Sequence, residues 1–154
     1  MVDFLVCLFK MQKCVFITGG NKGIGLDITN LFLKNNYFVI ILARTKVNKS
    51  LKKNKNLKFF KGDASRENSY KVAINFATKK FGKIDIFINN VGVSEWKSIE
   101  AIDKKFLYKI IETNLLSYFW GCKFASKYLV KNGCIINISS IAGKRGSKNN
   151  SAYS

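Results

Sequence analysis

Gly19, Gly23 and Gly25 stand at G-x-x-x-G-x-G spacing, directly after the apolar run Cys14-Val15-Phe16-Ile17-Thr18 and just before the amphipathic segment Leu26 to Lys34. A strand that breaks into glycines and then opens a helix can hold a phosphate. The helix start offers unpaired N–H groups and a positive dipole end, and glycine lets the backbone come close to the ligand. So many glycines could also form a plain flexible loop. Their place between an apolar strand and a helix is what favours a cradle for a dinucleotide pyrophosphate, although the commoner spacing for that task is G-x-G-x-x-G.

Other chemistry is bounded by what the composition lacks. Histidine is absent from the 154 residues, so Ser-His and Cys-His nucleophilic catalysis are excluded. The four cysteines, Cys7, Cys14, Cys122 and Cys134, form no C-x-x-C pair, and no metal site is expected. Cys14 and Cys134 fall in apolar strands, where a free thiol is expected to be buried as a small apolar side chain. A reducing cytoplasm is the setting these cysteines imply.

The elements that must position these residues alternate from end to end. Ile24 to Asn35 is a helix with Ile24, Ile28, Leu31 and Phe32 on its apolar stripe, and Phe38 to Ala43 is a continuous apolar strand. Asn48 to Asn56 is a polar loop or a frayed helix, Leu57 to Phe60 a third strand, and Arg66 to Phe81 a helix with Tyr70, Ile74, Ala77 and Phe81 inward. Ile84 to Ile88 is the fourth strand, Ile99 to Val130 a helical stretch split near Asp103, and Cys134 to Ile138 the fifth strand. Apolar strands separated by helices predict an α/β fold: a doubly wound, Rossmann-like parallel sheet in the order 3-2-1-4-5.

In such a sheet the ligand lies over the C-terminal strand ends. Those ends carry the glycine turn, Arg44-Thr45, Asp63, Asn89-Asn90-Val91-Gly92 and Ser139-Ser140. Each alone would pass for a cap or a turn. Together on one rim they mark a site.

A chain of this length is one domain by expectation, read here as residues 11–154 behind a short N-terminal extension, 1–10, with no packing partner. Val2 to Phe9 is apolar but contains Asp3 and follows no basic segment, so it fits a secretory leader poorly; Met11 is a second candidate start. No apolar run has the roughly 20 residues of a membrane span. The net charge of +18 suggests nucleic acid. Against it, the basic residues are scattered and nearly all lysine, and the densest cluster, Lys46 to Lys61, lacks the aromatic interleaving that stacks bases. Nucleic acid is therefore not expected as a partner.

Four ordered motifs carry a family resemblance. Thr18-Gly19-Gly20-Asn21-Lys22-Gly23-Ile24-Gly25 resembles the T-G-x-x-x-G-x-G cofactor motif of the short-chain dehydrogenase/reductase family, and Asn89-Asn90-Val91-Gly92 resembles its N-N-A-G. Asn114 matches the mid-helix asparagine of the family's active site, and Ile135-Ile136-Asn137-Ile138-Ser139-Ser140 the strand with its serine. Tyr153 follows Ser140 by 13 residues, the family's interval. The resemblance implies hydride transfer between a nicotinamide and a carbonyl or alcohol carbon. Tyr153 would be the proton donor or acceptor, Ser140 the hydrogen-bond partner of the substrate oxygen, and Asn114 the holder of a relay water. Gly19, Asn21, Lys22, Gly23, Ile24, Gly25 and Gly92 would line the cofactor, Asp63 would accept from the adenine amino group, and Asn90 would steady the adenine ribose. At the end of the second strand an acidic residue selects NAD; Arg44, with Lys22 nearby, favours the 2′-phosphate of NADP(H).

The segment around Glu112-Thr113-Asn114 is similar to the 3-oxoacyl-acyl-carrier-protein reductases. That implies a small carbonyl substrate, carrier-bound in those enzymes, and a homo-oligomer at full length. The family's lysine, four residues after the tyrosine, would fall past Ser154, as would its sixth and seventh strands. The expectation is therefore a Rossmann domain incomplete at its C-terminal side, a fifth strand left as an open edge, and little reductase activity in this chain alone. A dinucleotide-binding module without catalysis stays open as the second reading.

Overall fold

The computed structural model describes residues 12–154; the proposed extension, 1–10, and Met11 lie outside the described residues. Five parallel strands form one sheet in the order β3-β2-β1-β4-β5. They are β1 (Cys14–Thr18), β2 (Phe38–Ala43), β3 (Leu57–Lys61), β4 (Ile84–Asn89) and β5 (Leu129–Asn137). The helices are α1 (Gly23–Lys34), the single turn α2 (Lys49–Lys52), α3 (Glu67–Phe81), α4 (Lys104–Ile111) and α5 (Ser117–Tyr128). The expected strand order is the observed one. Right-handed crossovers permit little else for this succession of elements.

Alternation along the central strands decides which helix covers which face. Val15, Ile17, Val39, Ile41 and Ile88 form one core layer with Ile28, Phe32 and Leu33 of α1. Phe16, Ile40, Leu42 and Phe87 form the other with Tyr70, Ala73, Ile74 and Ala77 of α3 and with Ala125 of α5. Phe16 stacks on Phe87 at 4.6 Å, and Tyr70 on Phe124 at 5.3 Å. Every residue of β1 and β2 is buried, and each large apolar side chain there contributes about 1.5–3 kcal/mol. Cys14 belongs to this core: burial pushes its thiol up to about 12, Asp85 adding to the effect and Lys80 opposing it.

Side-chain caps set several boundaries. Asn48 accepts from Leu51 N–H at 2.9 Å and turns part of the expected polar loop into α2. Asp103 accepts from Phe106 N–H at 2.7 Å and starts α4. That backbone bond, with Lys97 beside it, holds the Asp103 carboxyl below the usual carboxylate range. Between α4 and α5 lies a π turn, Glu112–Leu116, so the expected split at Asp103 is joined by a second irregularity at Asn114.

Three expectations fail. Ile24 and Leu31 of α1 are 64% and 59% exposed, and Gly25 and Thr29 are buried in their place. The helix approaches the sheet through its smallest residues, which turns its apolar stripe by part of a turn. The helical stretch ends at Tyr128 rather than Val130, because Leu129 already pairs with Ile84 and an irregularity follows before Cys134 pairs with Ile86. Cys134 is exposed, not buried: β5 is the sheet edge, and its apolar residues, Ile135 and Ile136 among them, stand open.

Helix α5 crosses β4 at Gly121, where an added Cβ would overlap the buried amide of Asn89. Gly121→Ala should therefore cost about 2 kcal/mol despite alanine's better helix propensity, lowering Tm by about 6 °C. Thermal unfolding followed by circular dichroism measures this, and an unchanged Tm would show that the crossing is looser than described.

Candidate functional site

The rim formed by the strand ends holds two adjoining cavities. The first, about 340 Å³, is lined by all ten residues expected to hold a cofactor: Gly19, Asn21, Lys22, Gly23, Ile24, Gly25, Arg44, Asp63, Asn90 and Gly92. The second, about 560 Å³, brings together Asn114, Ser140 and Tyr153. Ile24, Asn90, Gly92 and Val93 line both, so the two are continuous at the exits of β1 and β4. An extended ligand with two ends fits this arrangement.

The glycine turn is built for close approach. Gly19 has φ +68°, a conformation that costs glycine nothing. A Cβ on Gly25 would collide with the Gly19 carbonyl and lie 2.5 Å from Asn90 Nδ2. Gly25 thus lets the start of α1 pack directly on the exits of β1 and β4, while the position of a Cβ on Gly23 is open, so the helix N-terminus stays accessible to a phosphate group. Asn21 closes the neighbouring wall by donating to the Thr45 carbonyl at 2.9 Å and to its hydroxyl at 2.8 Å. Thr45 is a cavity residue to which no sequence reading gave a role. Lys22 and Arg44 are exposed beside the cradle, and among the described residues neither is in an ion pair.

Two side chains are engaged differently from expectation. Asn90 donates through Nδ2 to the carbonyls of Thr18 at 3.0 Å and Gly19 at 3.3 Å. Its amide donor is spent on shaping the turn where the cavities meet, not on a ribose. Asn114 uses both ends of its amide on one residue: Oδ1 accepts from Val93 N–H and Nδ2 donates to the Val93 carbonyl, each at 2.8 Å. The π turn around Asn114 is the kind of irregularity that frees backbone groups for a ligand or water. No periodicity in the sequence signals a π turn.

Ser140 stands at the entry to a short turn, Ile141–Gly143, its Oγ accepting from Ala142 N–H at 3.1 Å. The hydroxyl proton stays available to a ligand oxygen. Tyr118, for which the sequence gave no signal, lines the same cavity and donates to the Ile138 carbonyl at 2.6 Å. Burial pushes its hydroxyl up to about 12, with Tyr153 adding to the effect. Tyr118 is thus a fixed neutral donor that ties α5 to the end of β5.

Comparison with known proteins gives a consistent picture. A sequence model described as short chain dehydrogenase matches residues 13–154. A 3-oxoacyl-[acyl-carrier-protein] reductase FabG of Chlamydia pneumoniae is 32% identical over 149 residues, covering 92% of this chain and 60% of the relative. An NADP-dependent (R)-specific alcohol dehydrogenase of Lentilactobacillus kefiri is 30% identical over 149 residues, covering 92% and 59%. Among solved structures, ElxO with NADP bound superposes with a TM-score of 0.82 at 35% identity, covering 93% of this chain and 61% of that one. The chain therefore spans about three fifths of the length of these relatives. A match this long, over a sheet whose strand ends gather the motif residues into one rim, makes the chain a member of the short-chain dehydrogenase family.

Proposed function

We propose that this chain supplies the cofactor cradle and the proton-transfer groups of an NADP-dependent carbonyl reductase. The observation that carries the reading is the continuity of the two cavities through Ile24, Asn90, Gly92 and Val93. The nicotinamide, when bound, supplies or accepts the hydride. Gly19, Gly23 and Gly25 leave room for the pyrophosphate at the start of α1, and the free Oδ2 of Asp63 accepts from the adenine amino group. Lys22 and Arg44 take the 2′-phosphate. In the second cavity Ser140 donates to the substrate oxygen as charge develops there, Tyr153 passes the proton, and the backbone at Asn114 holds the water that resupplies it.

The substrate reading is a small carbonyl compound or its alcohol. A carrier-bound 3-oxoacyl group is the specific candidate, supported by the FabG relative and by a net charge of +18 that suits an acidic carrier. Leu107, Tyr108, Ile111, Leu115 and Phe119 stand exposed along α4, the π turn and α5. An apolar row of this kind suits a homo-oligomer contact between copies of this face. A reducing cytoplasm is the compartment proposed, since Cys14, Cys122 and Cys134 are free thiols. No helix among the described residues is long and apolar enough to cross a membrane.

Three measurements test the proposal. Calorimetric titration should show NADPH binding about tenfold more tightly than NADH, and Arg44→Ala should remove most of that difference; equal affinities would defeat the NADP assignment. Addition of a ketone should oxidise bound NADPH only slowly, and Ser140→Ala and Tyr153→Phe should each lower that rate further at unchanged NADPH affinity. Binding without oxidation of NADPH by any ketone would select the dinucleotide-binding module instead. Sedimentation velocity should show an assembly that Phe119→Lys dissociates, and a monomeric wild-type chain would exclude the α4–α5 contact.

A further inference from the structure

Asp63 reaches the first cavity from the exit of β3, and its carboxylate is held by a specific frame. Oδ1 accepts both the N–H and the O–H of Ser65, each at 2.9 Å, while the Asp63 N–H donates to Ser69 Oγ at 3.1 Å. Two donors on one oxygen leave Oδ2 as the acceptor for a ligand; among the described residues nothing donates to it. Ser65 is buried, and its carbonyl would lack a partner but for one group. That group is the indole N–H of Trp120, 3.1 Å away and 55 residues further along the chain.

Trp120 is itself fixed on three sides. It packs against the core under α3 and meets Phe119 edge to face at 5.3 Å. Its ring is covered at 5.2 Å by the Lys123 ammonium, which pairs with Glu67 at 2.8 Å on the first residue of α3. Phenylalanine would keep much of the packing. The N–H is the feature that packing does not require, and it is spent on the carbonyl of Ser65, the residue whose N–H and O–H hold Asp63.

We propose that Trp120 is a positioning residue for the adenine end of the cofactor, acting through Ser65 to hold the Asp63 carboxylate at the adenine amino group. The inference rests on the reading of Asp63 as the adenine acceptor given above. Without the indole N–H, the buried Ser65 carbonyl must turn toward water to find a donor. That carbonyl shares a peptide plane with the Arg66 N–H, which donates to the Asp63 carbonyl at 3.0 Å. Turning it draws Ser65 away from Asp63, and the carboxylate loses the orientation that distinguishes a donor from an acceptor at position 6 of the purine.

The test compares NADPH with its deamino analogue, in which hypoxanthine places a carbonyl where adenine has the amino group. Wild-type protein should bind NADPH about tenfold more tightly, the worth of one hydrogen bond to a charged group. In Trp120→Phe that ratio should fall to about threefold or less through weaker NADPH binding, while the affinity for the analogue changes little. A merely structural loss would weaken both ligands together and leave the ratio alone. Ser65→Ala, which keeps the Trp120 bond but removes one of the two donors to Asp63, should give an intermediate ratio and serves as the deciding variant if Trp120→Phe does not fold. A wild-type ratio retained in Trp120→Phe overturns the role of Trp120, and one retained in Ser65→Ala overturns the path through Ser65 by which Trp120 would act. A ratio near one in the wild type overturns the adenine role of Asp63 and this inference with it, and failure to bind either compound overturns the dinucleotide reading itself.

Discussion

Everything at the rim depends on a junction between two strand exits. The Thr18 hydroxyl accepts the N–H groups of Asn90 at 3.0 Å and Val91 at 3.3 Å and lies 3.5 Å from the Ile88 carbonyl. Asn90 returns two bonds to the carbonyls of Thr18 and Gly19. In the order 3-2-1-4-5 the chain reverses its direction of travel across the sheet between β1 and β4. Successive connections leave for opposite faces there and open a crevice. Left alone, a crevice between diverging loops would expose unpaired backbone groups. The Thr18–Asn90 junction satisfies them and sets the spacing between the glycine turn and the loop after β4. Both cavities inherit their shared wall from it.

The second organising element is the helical beam from α4 through the π turn to α5. One stretch of about seven turns carries Asn114 at the second cavity, Tyr118 at the end of β5 and Trp120 at the Ser65 carbonyl. It is anchored from below by Tyr70, whose hydroxyl donates to the Ser117 carbonyl at 2.8 Å, and pressed onto β4 at Gly121. The π turn matters because it changes the angular phase between Asn114 and the residues that follow.

Much of the fold was legible because buried parallel strands and helices differ plainly in length and period. The apolar runs of β1 and β2 and the spacing of Tyr70, Ile74 and Ala77 mark elements without help from tertiary context. The rim was legible for a related reason: its residues follow strand ends, and strand ends of a parallel sheet share one edge. What stayed hidden depends on contacts between distant segments. Leu31 reads as core and is exposed, since the close approach of Gly25 fixes the helix phase. Cys134 reads as buried and is exposed, since a strand at the edge of a sheet has the same composition as one in the middle. Tyr118 and Trp120 gave no signal, because an aromatic residue on a helix reads as core until its partner 20 or 55 residues away is known.

The two cavities are not equally well anchored, and the difference has a physical basis. The first cavity rests on β1, β2 and β4, strands paired on both edges and covered on both faces. The second rests also on the end of β5, a strand largely open to solvent, and on the segment after it. Its long-range ties include the Tyr118 hydroxyl on the Ile138 carbonyl, the Ile138 N–H on the Asn89 carbonyl at 2.9 Å, and the Lys97 N–H on the Asn149 carbonyl at 2.7 Å. Regions held by a few hydrogen bonds over little buried apolar surface open locally at low free-energy cost. Such regions also tolerate changes of sequence better than a buried sheet does.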